Sequence, residues 1–112
     1  MSYSRLNAYE TMWLFVTFDL PVTTDKYMKA ANKFRQNLKH DGFQRFQLSV
    51  YARHCGSRES AESHIETVKD LVPKEGFVSI ITLTDKQYGQ IVNIWGAKEE
   101  RLPPPPQQLE FF

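Results

Sequence analysis

The sequence predicts an α+β fold: one antiparallel sheet carrying two helices on one of its faces. Three observations predict it. Apolar residues follow strand-like patterns over Met12–Asp19, residues 43–54 and Phe77–Thr84. Between these runs, residues 24–40 and 57–72 carry apolar residues at helical spacing. Glycine or proline punctuates the segment ends, at Pro21, Gly42, Gly56, Pro73, Gly76 and Gly96. The resulting order is β-α-β-β-α-β with an extra terminal strand.

Each element has its own local logic. In the first strand Met12, Leu14, Val16 and Phe18 alternate with Trp13, Phe15, Thr17 and Asp19. Both sets are bulky, which predicts a central strand covered on both faces. Pro21 ends it. Thr24 suits a helix N-cap, and Asp25 in the first turn complements the helix dipole. Tyr27, Ala30, Ala31, Phe34 and Leu38 then form an apolar stripe, with Lys26, Lys29 and Lys33 away from it. Gly42 suits the left-handed position that closes a helix. Residues 43–54 read as strand, with a bend, bulge or tight hairpin expected around residues 44–47. Ser57 caps a second helix whose inner face is Ala61, Ile65, Val68, Leu71 and Val72. After the 73–76 turn, Val78, Ile80, Ile81 and Leu83 form the heart of the next strand. Residues 85–90 are expected to form a helical turn, and residues 91–95 a last short strand.

This order is the ferredoxin-like arrangement. Its second sheet face has no helix from this chain, which would leave Trp13 and Phe15 in water. A homodimer, sheet against sheet, is the expected remedy. The domain organisation read from the sequence is an N-terminal arm at 1–11, the ferredoxin-like domain at 12–96 and a proline-rich tail at 97–112. Pro103, Pro104, Pro105 and Pro106 exclude helix and favour polyproline II before Leu109, Phe111 and Phe112. The tail is either a docking segment or a frayed end.

A hydrophobic content of 41%, with eight Phe, five Tyr and two Trp, excludes a disordered chain. The single cysteine, Cys55, cannot form an internal disulfide, which points to a reducing, cytoplasmic setting. The apolar run from Met12 is too short to span a membrane. A net charge of +1 conceals a strong asymmetry. Between residues 26 and 58, Lys26, Lys29, Lys33, Arg35, Lys39, Arg45, Arg53 and Arg58 stand against Asp41 alone, a local net of +7. With Phe34, Phe43, Phe46 and Tyr51 interleaved, this third is either a polyanion-binding surface or an ordinary solvated helix face.

Other chemistries lack their residues. There is no Cys/His cluster with zinc spacing and no glycine-rich phosphate loop. His40, His54 and His64 are scattered, and none stands beside a serine in a nucleophile motif. Cys55 lies near Arg53, His54 and Arg58, which would lower its pKa if it were accessible; a spectator thiol is the alternative. Asp19 stands out because a carboxylate at the lip of a buried strand must be solvated, hydrogen-bonded or bound to a cation. It either caps the turn to Thr24 or contributes to a metal site. Two copies facing each other across a two-fold axis would share one Mg²⁺, which accepts water for its remaining ligands.

The strand ending Phe18-Asp19-Leu20-Pro21, the basic helix containing Phe34, Gly42-Phe43, and Gln47-Leu48-Ser49-Val50-Tyr51 resemble the CRISPR-associated Cas2 family. The run from Ile80 to Tyr88, and Ile94-Trp95-Gly96, resemble the end of the same domain. The likeness covers residues 12–96. It implies a homodimer that bridges the Cas1 integrase during spacer acquisition and carries double-stranded protospacer DNA on a basic surface. It also implies Mg²⁺-dependent endonuclease activity on DNA or RNA in some members, with Asp19 inheriting the catalytic and metal-ligating position. For nucleic-acid binding, Arg45, Arg53 and Arg58 rank first, with Lys26, Lys29 and Lys33 behind them. Two alternatives keep the fold: a toxin-type endoribonuclease, and a non-catalytic regulatory module binding a small ligand. The first 11 residues and the tail depart from compact members of the family, and both are expected integrase contacts.

Overall fold

A computed structural model describes residues 11–96, and the strand pairing of residues 98–100. Strands β1 (Met12–Asp19), β2 (Gln44–Gln47), β3 (Val50–Cys55) and β4 (Phe77–Thr84) form one sheet in the order β2-β3-β1-β4. Every neighbouring pair is antiparallel. Helices α1 (Asp25–His40) and α2 (Arg58–Leu71) make the two crossovers. A five-residue helix, α3 (Asp85–Gly89), follows β4 directly, and β5 (Asn93–Trp95) pairs with β6 (Lys98–Glu100) as a separate hairpin. This is the ferredoxin-like arrangement expected. The expected extra strand is one arm of that hairpin, its other arm starting the segment read as tail. The remainder of the tail, and the arm before Thr11, lie outside the described residues.

The caps act as their residue types dictate. Thr24 accepts a hydrogen bond from Tyr27 N–H, and Ser57 accepts one from Ser60 N–H. Helix α1 closes in a Schellman motif: Gly42 N–H reaches Lys39 C=O and Phe43 N–H reaches Leu38 C=O, both at 3.0 Å. Gly42 holds φ at +91°, a conformation that a side chain would strain. The expected irregularity in the first hairpin is a register shift between Arg45 and Gln47, and the chain reverses just after it, at Leu48 and Ser49.

One core lies between the sheet and the two helices. Leu14, Val16 and Phe18 of β1 pack there with Phe34, Leu38, Phe43, Tyr51, Ala61 and Val68. Each fully buried side chain of this size contributes about 1.5–3 kcal/mol, so β1 alone anchors much of the layer. The opposite face corrects one expectation. Trp13 and Phe15 are not left in water, being 0% and 6% exposed within this single chain. Tyr88 of α3 stacks flat on Trp13, ring centroids 3.8 Å apart, and Phe46 meets Phe15 edge-on at 5.0 Å. The helix after β4 and Phe46 of β2 thus supply, within one chain, the cover expected from a second copy. Exposed apolar side chains remain elsewhere, among them Phe77, Ile81, Val92, Ile94 and Trp95.

Candidate functional site

Asp19 is the last residue of β1, the strand with a neighbour on both sides. Alternation puts it on the face opposite the helices, in line with Thr17, Phe15 and Trp13. Its side chain is exposed, and no described residue donates a hydrogen bond or forms an ion pair with it. Thr24, not Asp19, caps the turn into α1. The lip itself is held firmly. The Pro73–Gly76 turn closes through Gly76 N–H to Pro73 C=O at 3.1 Å. A Cβ on Gly76 would meet the tip of the Leu20 side chain, so a larger residue there requires Leu20 to shift. Phe77 then stands directly across from Asp19 in the β1–β4 register.

Among the described residues, no group of three His, Cys, Asp or Glu side chains is placed to hold a metal ion. One chain therefore does not complete a metal site around Asp19 among the described residues. Mg²⁺ takes six oxygens but keeps several waters, so the residues present fit such an ion only when a second copy adds its own carboxylate.

The basic residues divide into distinct settings. Lys26, Lys29 and Lys33 are exposed on one stripe of α1, roughly opposite the buried stripe of Ala31, Phe34 and Leu38. None of the three is paired with a carboxylate among the described residues. Arg58 is exposed at the first position of α2, and Arg45 is exposed on β2, the edge strand. Arg53 has a different setting. It lies half-buried on the helix-covered side, where Nε donates to Asp41 C=O at 2.9 Å and Nη1 to His54 C=O at 2.8 Å. Its guanidinium also lies against Gly42. These bonds tie the end of α1 to β3. Arg35, counted in the basic third but not ranked for binding, has its guanidinium 5.4 Å over the Phe18 ring.

Two of the three histidines are anchored within the fold, while His40 is exposed at the end of α1. His64 Nδ1 lies 2.7 Å from Asp41 Oδ2, joining α2 to the end of α1. His54 Nε2 lies 3.1 Å from Asp85 Oδ1, joining β3 to α3, and Thr11 Oγ1 donates to the same carboxylate. Cys55 is buried, and that burial pushes its thiol pKa up despite the opposing Arg53 charge. It is the spectator of the two readings, since a buried protonated thiol is a poor nucleophile.

With this geometry in place, known proteins supply the frame. The profile of the CRISPR associated protein Cas2 family matches residues 12–91. The chain belongs to the Cas2 family. A Flavobacterium psychrophilum Cas2 is 44% identical over 110 residues, spanning 98% of this chain and 96% of its own. One from Parvibaculum lavamentivorans is 44% identical over 101 residues, spanning 90% of this chain and 100% of its own. A Paracidovorax avenae Cas2 is 38% identical over 107 residues, covering 96% and 99%. All three relatives are named CRISPR-associated endoribonuclease Cas2. The Cas2 match begins at the first residue of β1 and takes in Asp19, both long helices and α3. No helix among the described residues is long and apolar enough to cross a membrane.

Proposed function

We propose that this Cas2 chain works as a homodimeric scaffold in spacer acquisition, binding double-stranded protospacer DNA in the cytoplasm and bridging the Cas1 integrase. The observation that carries the DNA-binding part is the lysine stripe of α1. Lys26, Lys29 and Lys33 are exposed together, without carboxylate partners among the described residues. Such a stripe meets phosphates through charge and reads no bases, as a scaffold for arbitrary spacer sequences requires. Arg58 and Arg45 extend the basic surface. Arg53 contributes charge from a position fixed by its backbone contacts.

The names of the relatives favour a second activity, cleavage of RNA; we propose Mg²⁺ as its ion and Asp19 as the residue where this chain would carry it. Two Asp19 carboxylates brought together by a two-fold axis would hold the ion, with water completing its shell. When bound, Mg²⁺ supplies a Lewis acid and a water of lowered pKa for attack on a phosphodiester.

Two measurements separate the roles. Sedimentation of the chain with Cas1 and duplex DNA is expected to give a complex in which this chain joins integrase dimers, and Asp19→Ala is expected to leave it intact. Failure of the wild-type chain to join Cas1 and DNA in one species would overturn the scaffold reading. Cleavage of RNA in Mg²⁺ is expected to vanish in Asp19→Asn with the fold unchanged. An Asp19→Asn variant that cuts as fast as wild type would remove Asp19 from the chemistry.

A further inference from the structure

The two long helices share one layer, and their outer faces carry opposite charge. Phe34 and Leu38 of α1 lie in the same core as Ala61 and Val68 of α2, and the His64–Asp41 contact ties α2 to the end of α1. Away from that core, Lys26, Lys29 and Lys33 line α1 at steps of three and four residues. Glu59, Glu62, Glu66 and Asp70 line α2 at the same kind of step, and all four are exposed. Only Glu66 has a partner, Lys69 of its own helix, and no ion pair joins an acid of α2 to a lysine of α1 among the described residues. Helix stability accounts for Glu59, which complements the dipole in the first turn. It does not account for Asp70, an acid at the negative end of the same helix. Packed helices lie about 8–10 Å apart, and the phosphate rows of B-DNA face each other across grooves about 6 and 12 Å wide. A duplex aligned with α1 that sets one row on the lysines can therefore bring its other row over α2.

We propose that Glu62, Glu66 and Asp70 determine how duplex DNA is held: they repel the second phosphate row from α2, so the duplex meets this layer through one row, on α1. This deepens the scaffold reading and rests on it. Like charges set against each other penalise the wrong pose and leave the right one untouched. At physiological salt such repulsion reaches about 8 Å. It therefore acts on a phosphate row over α2 and not on the opposite face, where Asp19 stands. The lysines give the duplex its affinity, and the acids beside them give it a boundary.

The test uses the full chain, an end-labelled DNA duplex, and iron-EDTA attached as a hydroxyl-radical source to an introduced cysteine. Gln36→Cys places the source on α1 and Ser63→Cys on α2, both at exposed positions; the chain without either change, whose one thiol is the buried Cys55, is the blank. Strong cutting is expected from Gln36→Cys and weak cutting from Ser63→Cys. Adding Glu62→Gln/Glu66→Gln/Asp70→Asn is expected to raise cutting from α2 to the level of α1. The same change is expected to raise duplex affinity by roughly three- to tenfold, as screened surface charges allow. Glu62→Gln alone gives part of both gains and serves if the triple change unfolds the chain, while Asp19→Asn gives neither. Equal cutting from the two helices with the acids in place would overturn the proposal, as would substitutions that alter neither cutting nor affinity. If the neutralised chain instead loses Cas1 with its duplex affinity unchanged, the ridge is a protein contact and the proposal is overturned. A duplex that binds but is cut from neither helix would overturn it together with the α1 track. No duplex binding at all would overturn the scaffold reading as well.

Discussion

Tyr88 governs how much of the sheet's open face meets water. Its ring covers Trp13, and its hydroxyl is buried without a hydrogen-bond partner. Burial pushes the phenol pKa up to about 12 from an ordinary 10.0. The folded state therefore holds this proton where the unfolded chain releases it. The stabilising contribution is complete below about pH 10 and is lost as pH rises through about 12. Tyr88→Phe is expected to abolish that alkaline loss. At neutral pH it should leave stability unchanged or raise it by up to about 1 kcal/mol, because an unsatisfied buried hydroxyl is removed. Tyr88→Ala is expected to cost about 3–5 kcal/mol, as for other buried aromatic truncations, and urea midpoints of the three proteins check both statements. Nothing in the sequence showed this role. Residues 85–90 were legible as a helical turn, but the direction in which a five-residue helix folds back depends on contacts with β1, not on local pattern. Asp19, by contrast, was legible at once, since an acid ending an apolar strand stands out in any window.

At the scale of elements, the helices follow closely from their ends. Thr24, Ser57 and Gly42 take the cap positions that their chemistry favours, and both long helices fall where the apolar stripes place them. The first hairpin was legible in part, because the shift at Arg45–Gln47 breaks the alternation that would have marked its turn. Arg53 shows the limit of reading charge from sequence. It counts among the basic third, yet two of its nitrogens hold backbone carbonyls at the α1–β3 junction. Arg53→Ala is expected to destabilise the protein by about 1–3 kcal/mol, the usual cost of leaving buried acceptors unpaired. Chemical denaturation gives the value. Any accompanying loss of DNA affinity should track the unfolded fraction, whereas Lys26→Ala lowers affinity with stability within about 0.5 kcal/mol. Cys55 belongs to the same junction. Its thiol is expected to resist iodoacetamide at neutral pH until the chain unfolds; fast labelling of folded protein would contradict its burial.

For the whole molecule, the charge asymmetry and the fold class were both legible, because each is a sum over many residues. The cover of Trp13 was not, and its discovery changes the case for a dimer. Two copies are no longer required to keep Trp13 and Phe15 dry. The case now rests on Asp19, one carboxylate where a hard cation needs more oxygens, and on the exposed Ile81, Val92, Ile94 and Trp95. A dimer is expected at micromolar concentration, and Ile81→Asp is expected to weaken it; a chain that sediments as a monomer throughout would leave the lip with one carboxylate and no metal chemistry. The basic stripe of α1 lies on the other layer of the fold, so scaffold and lip are physically separate and can be lost separately.

On the proposed function, duplex affinity comes from the α1 lysines and does not need Asp19. The most direct measurement is duplex DNA binding as a function of salt for three proteins: wild type, Lys26→Ala/Lys29→Ala/Lys33→Ala, and Asp19→Asn. Each phosphate neutralised adds about 0.9 to the logarithmic salt slope. Wild type should therefore show a steep dependence, Asp19→Asn the same one, and the triple variant a slope smaller by about two to three. A triple variant with wild-type affinity and slope, or an Asp19→Asn protein that folds but no longer binds duplex, would contradict it.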